Sequence, residues 1–230
     1  MKKLIVLFLI LSLLLCGCGN SQPPAGEVTP QTEAPTETQP EEKPLSMGRI
    51  EGGVYTNTYA GFGCQLDESW SFYSAEELQQ LPDQVSSAVE GSDMEALMAD
   101  YPQIFDLQAE NANDLLAVNV VYTKVSLQER LVYAALSEEQ TVDATLEQAD
   151  MIIESYAQAG MEVESMEKVK LTFLGEEHYG IRTVAQSNGI PIYMLQIMDF
   201  DLGMYGVNLT ATSYLEDNVQ SVLDMFYPVE

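Results

Sequence analysis

The last third of the chain constrains the fold most. Apolar and polar residues alternate there in four consecutive runs: Val169, Leu171 and Phe173; Tyr179, Ile181 and Ala185; Tyr193, Leu195 and Ile197; then Tyr205, Val207, Leu209 and Ala211. A period of two marks strands with one buried face. All these positions are odd, and odd faces odd across an antiparallel pair only when the connecting loop has an odd number of residues. Ser187-Asn188-Gly189 and Asp201-Leu202-Gly203 read as three-residue loops with glycine at the left-handed position, a pattern that Leu174-Gly175-Glu176 fits less well. The outcome is a four-stranded antiparallel meander. The run from Ile190 to Phe200 is apolar on its even side too, through Ile192, Met194, Met198 and Phe200, so both faces of the sheet should be covered. A C-terminal helix should follow, capped by Ser213 with Glu216 and carrying Leu215, Val219, Val222, Leu223 and Phe226. The expected fold class is α+β: an antiparallel sheet with a C-terminal four-stranded meander and helices on both faces, an α/β/α sandwich.

Upstream, Val54 to Asn57, Phe62 to Leu66 and Trp70 to Tyr73 read as short strands. Three Ser-x-x-Glu boxes, Ser74 to Glu77, Ser92 to Glu95 and Ser126 to Glu129, each predict a helix start, with the third helix running to about Leu136. Leu115 to Val125 is a strand rich in Val and Leu. Val142, Leu146, Ala149, Ile153 and Tyr156 recur at steps of four and three, which predicts one amphipathic helix ended by Gly160. Asp143, Glu147, Asp150 and Glu154 would line its opposite side. Like charges at this spacing cost about 0.2–0.5 kcal/mol each. The stripe therefore reads either as a solvated face or as a face for a cationic partner.

The N-terminus is of another kind. Lys2 and Lys3 precede an apolar stretch from Leu4 to Leu15, broken only by Ser12, which is the pattern of an export signal and is short for a membrane span. It ends in Leu15-Cys16-Gly17-Cys18, which resembles the lipobox of bacterial lipoproteins. That resemblance implies cleavage after residue 17, lipidation of Cys18, and anchoring at the outer face of the cytoplasmic membrane of a Gram-positive cell; two acyl chains hold where one is marginal. Residues 18–46 form a tether with six of the chain's ten prolines among Thr, Glu and Gln, a composition that cannot bury enough surface to fold. Residues 47–230 then make a single acidic domain. Nine Lys and Arg against 36 Asp and Glu give a net charge of −27, which excludes nucleic acid as a partner.

Little in the domain points to catalysis. With Cys16 lost and Cys18 acylated, Cys64 is the one free thiol, and His178 is the sole histidine. Neither has a recognisable partner, and Cys64 reads as a small buried hydrophobe. No Gly-x-Ser-x-Gly elbow, phosphate loop or zinc ligand set occurs, so no cofactor or metal is expected. Asp199-x-Asp201-x-Gly203 has the opening of a calcium loop without its remaining ligands and reads as a hairpin turn. His178, Lys168, Lys170 and Arg182 would share one face of the meander as a small basic cluster that neutralises nearby carboxylates. Glu76-Glu77 and Glu138-Glu139 sit where a helix dipole favours acids.

Tyr55-x-Asn57, Gly61-Phe62 and Leu66 up to Trp70, followed by helices and a meander, resemble the PsbP/Mog1-like domains of Gram-positive lipoproteins over about residues 54–227. The chain departs from them in Asp67-Glu68-Ser69, where those proteins often carry Pro and Gly. The resemblance implies a non-catalytic binding or assembly module with an envelope protein or cationic ligand as partner. The competing expectation is an extracytoplasmic hydrolase working through a pair of carboxylates.

Overall fold

A computed structural model of the protein describes residues 44–88 and 101–229. Four strands come first: β1 (Arg49–Glu51), β2 (Val54–Asn57), β3 (Phe62–Gln65) and β4 (Trp70–Phe72). Helix α1 (Ala75–Ala88) starts where the first Ser-x-x-Glu box puts it: the Ser74 N–H donates to Glu77 Oε2 at 2.8 Å, and the Glu77 N–H returns the bond to Ser74 Oγ at 3.3 Å. The box at Ser92 lies outside the described residues. Strand β5 (Gln103–Asn111) has no clear period in the sequence, because a bulge between Phe105 and Leu107 breaks its alternation. Next come β6 (Leu116–Lys124) and α2 (Leu127–Tyr133), the latter with both bonds of the Ser126–Glu129 box in place.

The single helix expected from Val142 to Tyr156 is two. Helix α3 (Glu138–Leu146) has its own capping box, Ser137 with Gln140, and α4 (Ala149–Gln158) starts after a break at Glu147–Gln148. Two features disfavour continuity. Thr141 and Thr145 bond their hydroxyls back to the carbonyls of Ser137 and Thr141, which bends a helix. An unbroken helix would also stack Asp143, Glu147, Asp150 and Glu154 in repulsive register. The acidic set is therefore spread over two helices, and Asp143 is held by Lys168 at 2.8 Å. Gly160, at φ +83°, ends α4 with the Met161 N–H reaching back to the Tyr156 carbonyl at 2.9 Å.

The meander is present as β7 (Glu162–Phe173), β8 (Glu176–Ser187), β9 (Ile190–Leu202) and β10 (Tyr205–Tyr214). Its turns are not those expected. Leu174-Gly175 and Asn188-Gly189 are two-residue loops with both residues at positive φ, as a type I′ turn requires. An even loop inverts parity, so Leu171 faces His178 and Ile181 faces Gln196. Tyr179, Ile181 and Ala185 thus lie on the face opposite Leu171, Phe173, Leu195 and Ile197, and the basic cluster dissolves, with Lys168 and Lys170 on one side and His178 and Arg182 on the other. Between β9 and β10 odd does meet odd, as in Ile197 with Leu209, because a bulge between Tyr205 and Val207 offsets the two-residue turn Gly203-Met204.

The long C-terminal helix is also replaced. Strand β10 runs on through Ser213 to Tyr214, helix α5 (Val219–Leu223) is five residues long, and the chain closes as β11 (Phe226–Pro228) against β3. Ser213 does cap, but a turn: its Oγ accepts from the Asn218 N–H at 3.2 Å. Leu215 is left exposed.

Seven strands make the main sheet, in the order β4-β5-β6-β10-β9-β8-β7, and β1-β2-β3-β11 make a smaller one. One face of the main sheet packs against the small sheet and α5, through Leu107, Val120, Tyr122, Leu195, Leu209 and their neighbours. The other lies under α1 and α4, through Leu81, Val85, Ile152 and Tyr156, and under α3 through Val142. The architecture is α+β with an antiparallel meander, and helices do occur on both faces, the small sheet carrying most of the cover on one of them.

Candidate functional site

The ladder between β8 and β9 is shorter than either strand. It runs from Ser187 opposite Ile190 to Ile181 opposite Gln196 and stops. Beyond that point β8 remains paired with β7 and β9 with β10. A cavity of about 460 Å³ occupies the resulting gap, within the size range of small-molecule sites. Phe173, Leu174 and His178 from the tip of the β7–β8 hairpin form one wall, and Ile197, Met198 and Asp199 form another. Ala60 and Phe62 close it from the small sheet, and the α2–α3 connection closes it through Tyr133, Leu136 and Glu138. The wall is mostly apolar, with Glu138, His178, Asp199 and the Tyr133 phenol as its ionisable groups.

His178 and Glu138 are 40 positions apart in sequence and meet here, with Nδ1 2.9 Å from Oε1. The pair ties the tip of the β7–β8 hairpin to the start of α3 and sets an imidazole beside a carboxylate in the cavity wall. Phe173 fixes the ring plane edge-on, with centroids 6.0 Å apart. The remaining cations of this region are spoken for. Lys168 pairs with Glu139 and Asp143, Lys170 with Glu177 at 2.5 Å, and Arg182 with Asp217 at 2.5 Å. Sequence reasoning placed Glu138 at a helix start, where it is, but had no signal for its partner. The Ser137–Gln140 box was the legible clue to the turn that delivers it.

Cys64 is fully buried in β3 opposite Tyr55 and Phe226, and burial pushes its thiol up to about 12, so it carries no thiolate for attack. Thr141, the hydroxyl nearest in character to a nucleophile in the cavity wall, is committed to the Ser137 carbonyl at 3.2 Å. Asp199 and Asp201 lie within β9, ahead of the two-residue turn Gly203-Met204, so they are strand residues and the expected turn falls two residues later. Asp143, Glu147, Asp150 and Glu154 are all exposed and lie outside the cavity wall. Cys18 lies outside the described residues.

A second polar centre is structural. Asp106, the residue extruded by the β5 bulge, accepts from the Gly48 N–H at 2.7 Å, the Tyr55 hydroxyl at 2.5 Å and Asn57 Nδ2 at 2.5 Å. Burial raises its carboxyl above the usual range, an effect those three donors oppose without cancelling. Burial, with the Asp106 charge added, pushes the Tyr55 phenol far up in turn. The knot pins the start of the domain, at Gly48, to the main sheet.

Among the described residues no helix is long and apolar enough to cross a membrane. No family model matches the chain, and no curated protein matches it. Among solved structures, the solution structure of cyanobacterial PsbP (CyanoP) from Synechocystis sp. PCC 6803 is similar to it with a TM-score of 0.41 and 9% identity, covering 85% of this chain and 99% of that one.

Proposed function

We propose that this chain is a membrane-tethered lipoprotein at the outer face of a Gram-positive cytoplasmic membrane, whose domain acts as a non-catalytic binding module. The cleft between β8 and β9 is its site, and the ligand has an apolar body with a cationic, N–H-donating group. The cleft carries the reading: a mostly apolar cavity with two carboxylates, Glu138 and Asp199, in its wall beside His178. Charge agrees with it, since a domain in a chain of net charge −27 attracts cations and repels anions at long range. The exposed Asp143, Glu147, Asp150 and Glu154 add to that field as a steering face. Tethering rests on the leader, on Cys18 in its lipobox-like context and on the proline-rich stretch behind it.

One observation favours the hydrolase alternative, namely that Glu138 and Asp199 line the same cavity. Against it, Glu138 is engaged by His178, and the apolar wall offers few donors to hold a polar substrate. The test is titration of the full chain in detergent with n-octylammonium and with octanoate, read at the Met198 methyl and the His178 ring by NMR. Saturable shifts with octylammonium alone are expected. Absence of shifts with both ligands rejects the cleft as the site, and turnover of a chromogenic glycoside or ester that Asp199→Asn abolishes would establish the hydrolase instead. Replacement of Cys18 by Ser should leave an unprocessed or released chain, and a processed, acyl-labelled Cys18→Ser protein rejects the anchor.

A further inference from the structure

The main sheet forks. Strand β8 pairs with β7 along nearly its whole length, from Gln186 opposite Glu162 to Glu176 opposite Phe173, while its ladder with β9 ends at Ile181 and Gln196. Residues 176–180 therefore form one prong. Strand β9 from Ile197 onward, paired with β10 through Ile197–Leu209 and Asp199–Val207, forms the other. Along an antiparallel strand, successive residues turn their N–H and C=O groups alternately to the two neighbouring strands. Neither prong continues the β8–β9 ladder across the gap, so the two strand edges there are not paired with each other. Gly180 stands at the crotch. A Cβ there would lie 2.5 Å from the Gln196 carbonyl oxygen and 2.7 Å from Leu171 Cδ2, so glycine lets the β8 backbone lie against Gln196 where the strands part.

We propose that the fork seats one extended peptide strand of a partner protein, added between β8 and β9, with apolar side chains alternating with basic ones. The inference rests on the cleft being the binding site and names its ligand class. Unpaired strand edges are templates for further pairing, and in strand addition main-chain bonds supply affinity while pockets for alternate side chains supply specificity. The apolar side chains would enter the cavity between Phe62, Phe173, Ile197 and Leu209. The basic ones would meet Glu138 and the exposed Asp199. Two other occupants fit less well. A second copy brings the same −27 to a like-charged surface. The chain's own segment from Gly19 to Ser46 holds six prolines, which cannot donate to a ladder.

The experiment uses the full chain in detergent and a ten-residue acetylated, amidated Val-Lys alternating peptide. Beside it run the same peptide N-methylated at two central residues and a Val-Glu counterpart. Expected are saturable binding of the Val-Lys peptide, at least tenfold weaker binding after N-methylation, and none of the Val-Glu peptide. Hydrogen exchange should slow at amides within 177–180 and 197–199. Ile197→Trp fills the cavity and should block binding, and Asp199→Asn, at an exposed position, should weaken it with the melting temperature checked beside it. Equal binding of parent and N-methylated peptides, or protection confined elsewhere, overturns strand addition while octylammonium shifts at Met198 leave the cleft standing. Failure of both the peptide and octylammonium to bind overturns the two together.

Discussion

The two faces of the main sheet treat polar groups in opposite ways. Under the small sheet the core is aromatic and aliphatic, with Phe62, Phe173 and Phe226 in mutual contact at 5.7–5.8 Å between centroids. The buried carboxylate on that side, Asp106, accepts from Gly48, Tyr55 and Asn57. On the helix side a polar row crosses four strands, Gln108 opposite Asn119, Asn119 opposite Thr210, and Thr210 opposite Gln196, all fully buried or nearly so. Both side-chain amide atoms of Gln108 and of Asn119 lack partners, as do the hydroxyls of Thr183 and Thr212 in the next row. An unpartnered buried polar group costs about 1–3 kcal/mol, so the helical layer rests on a surface that gains by being wetted. The small-sheet side is therefore expected to be the more rigid of the two, with α1 over β5 opening first.

The largest effect expected is on the rigid side. Phe226→Ala removes the ring that locks β11 to Phe62 and Phe173 and should cost about 3–5 kcal/mol in denaturant unfolding. A loss under 1 kcal/mol would place that core elsewhere. Asp106→Ala comes next, leaving the Gly48 N–H and the Tyr55 hydroxyl without this acceptor at about 1–3 kcal/mol each if they stay dry, while Asn57 Nδ2 keeps the Tyr122 hydroxyl at 2.7 Å. The conservative Asp106→Asn adds a pH test. Folding raises this carboxyl, so the folded state holds its proton more tightly, and the group's contribution is full below the unfolded pKa and falls as pH rises through the folded value. Subtracting the stability of Asp106→Asn from that of the parent across acid pH should isolate a difference that declines with rising pH; a flat difference contradicts the shift.

On the helix side the sign should reverse. Thr212→Val, close to isosteric, and the double change Gln108→Leu with Asn119→Leu should each be neutral or raise stability by about 1 kcal/mol. Loss of stability in both would mean that those groups are satisfied in solution, and the contrast between the faces would fail. Native-state hydrogen exchange sharpens the same point: amides of α1 should exchange through an opening of lower free energy than those of β6 and β10. The smallest effect concerns the exposed acids. Changing Glu147, Asp150 and Glu154 to Gln or Asn should leave the melting temperature unchanged or slightly higher while slowing association of a cationic ligand, most visibly at low salt. An unchanged association rate removes the steering role.

Local chemistry wrote the boundaries that sequence reasoning found. The Ser74 and Ser126 boxes satisfy orphan helix N–H groups within four residues, and the alternation along β7 to β10 needs nothing beyond a strand with one apolar side. Loop parity was harder. Leu174 adopts φ +52° without being glycine, and the bulge at Tyr205/Val207 cancels an even loop, so counting residues between glycines misplaces a whole strand face. Strand β5 hid behind the bulge that aims Asp106 inward, and the break between α3 and α4 lies inside an unbroken apolar period.

By itself, then, the sequence determined an acidic α+β fold with a C-terminal antiparallel meander, behind an apolar N-terminal run and a proline-rich stretch, because charge, composition and short-range periodicity are properties of neighbours in the chain. The cleft belongs to tertiary structure alone. Where a ladder stops depends on how two strands are pulled apart by the layers above and below them, and the His178–Glu138 pair joins a hairpin tip to a helix start that only packing brings together.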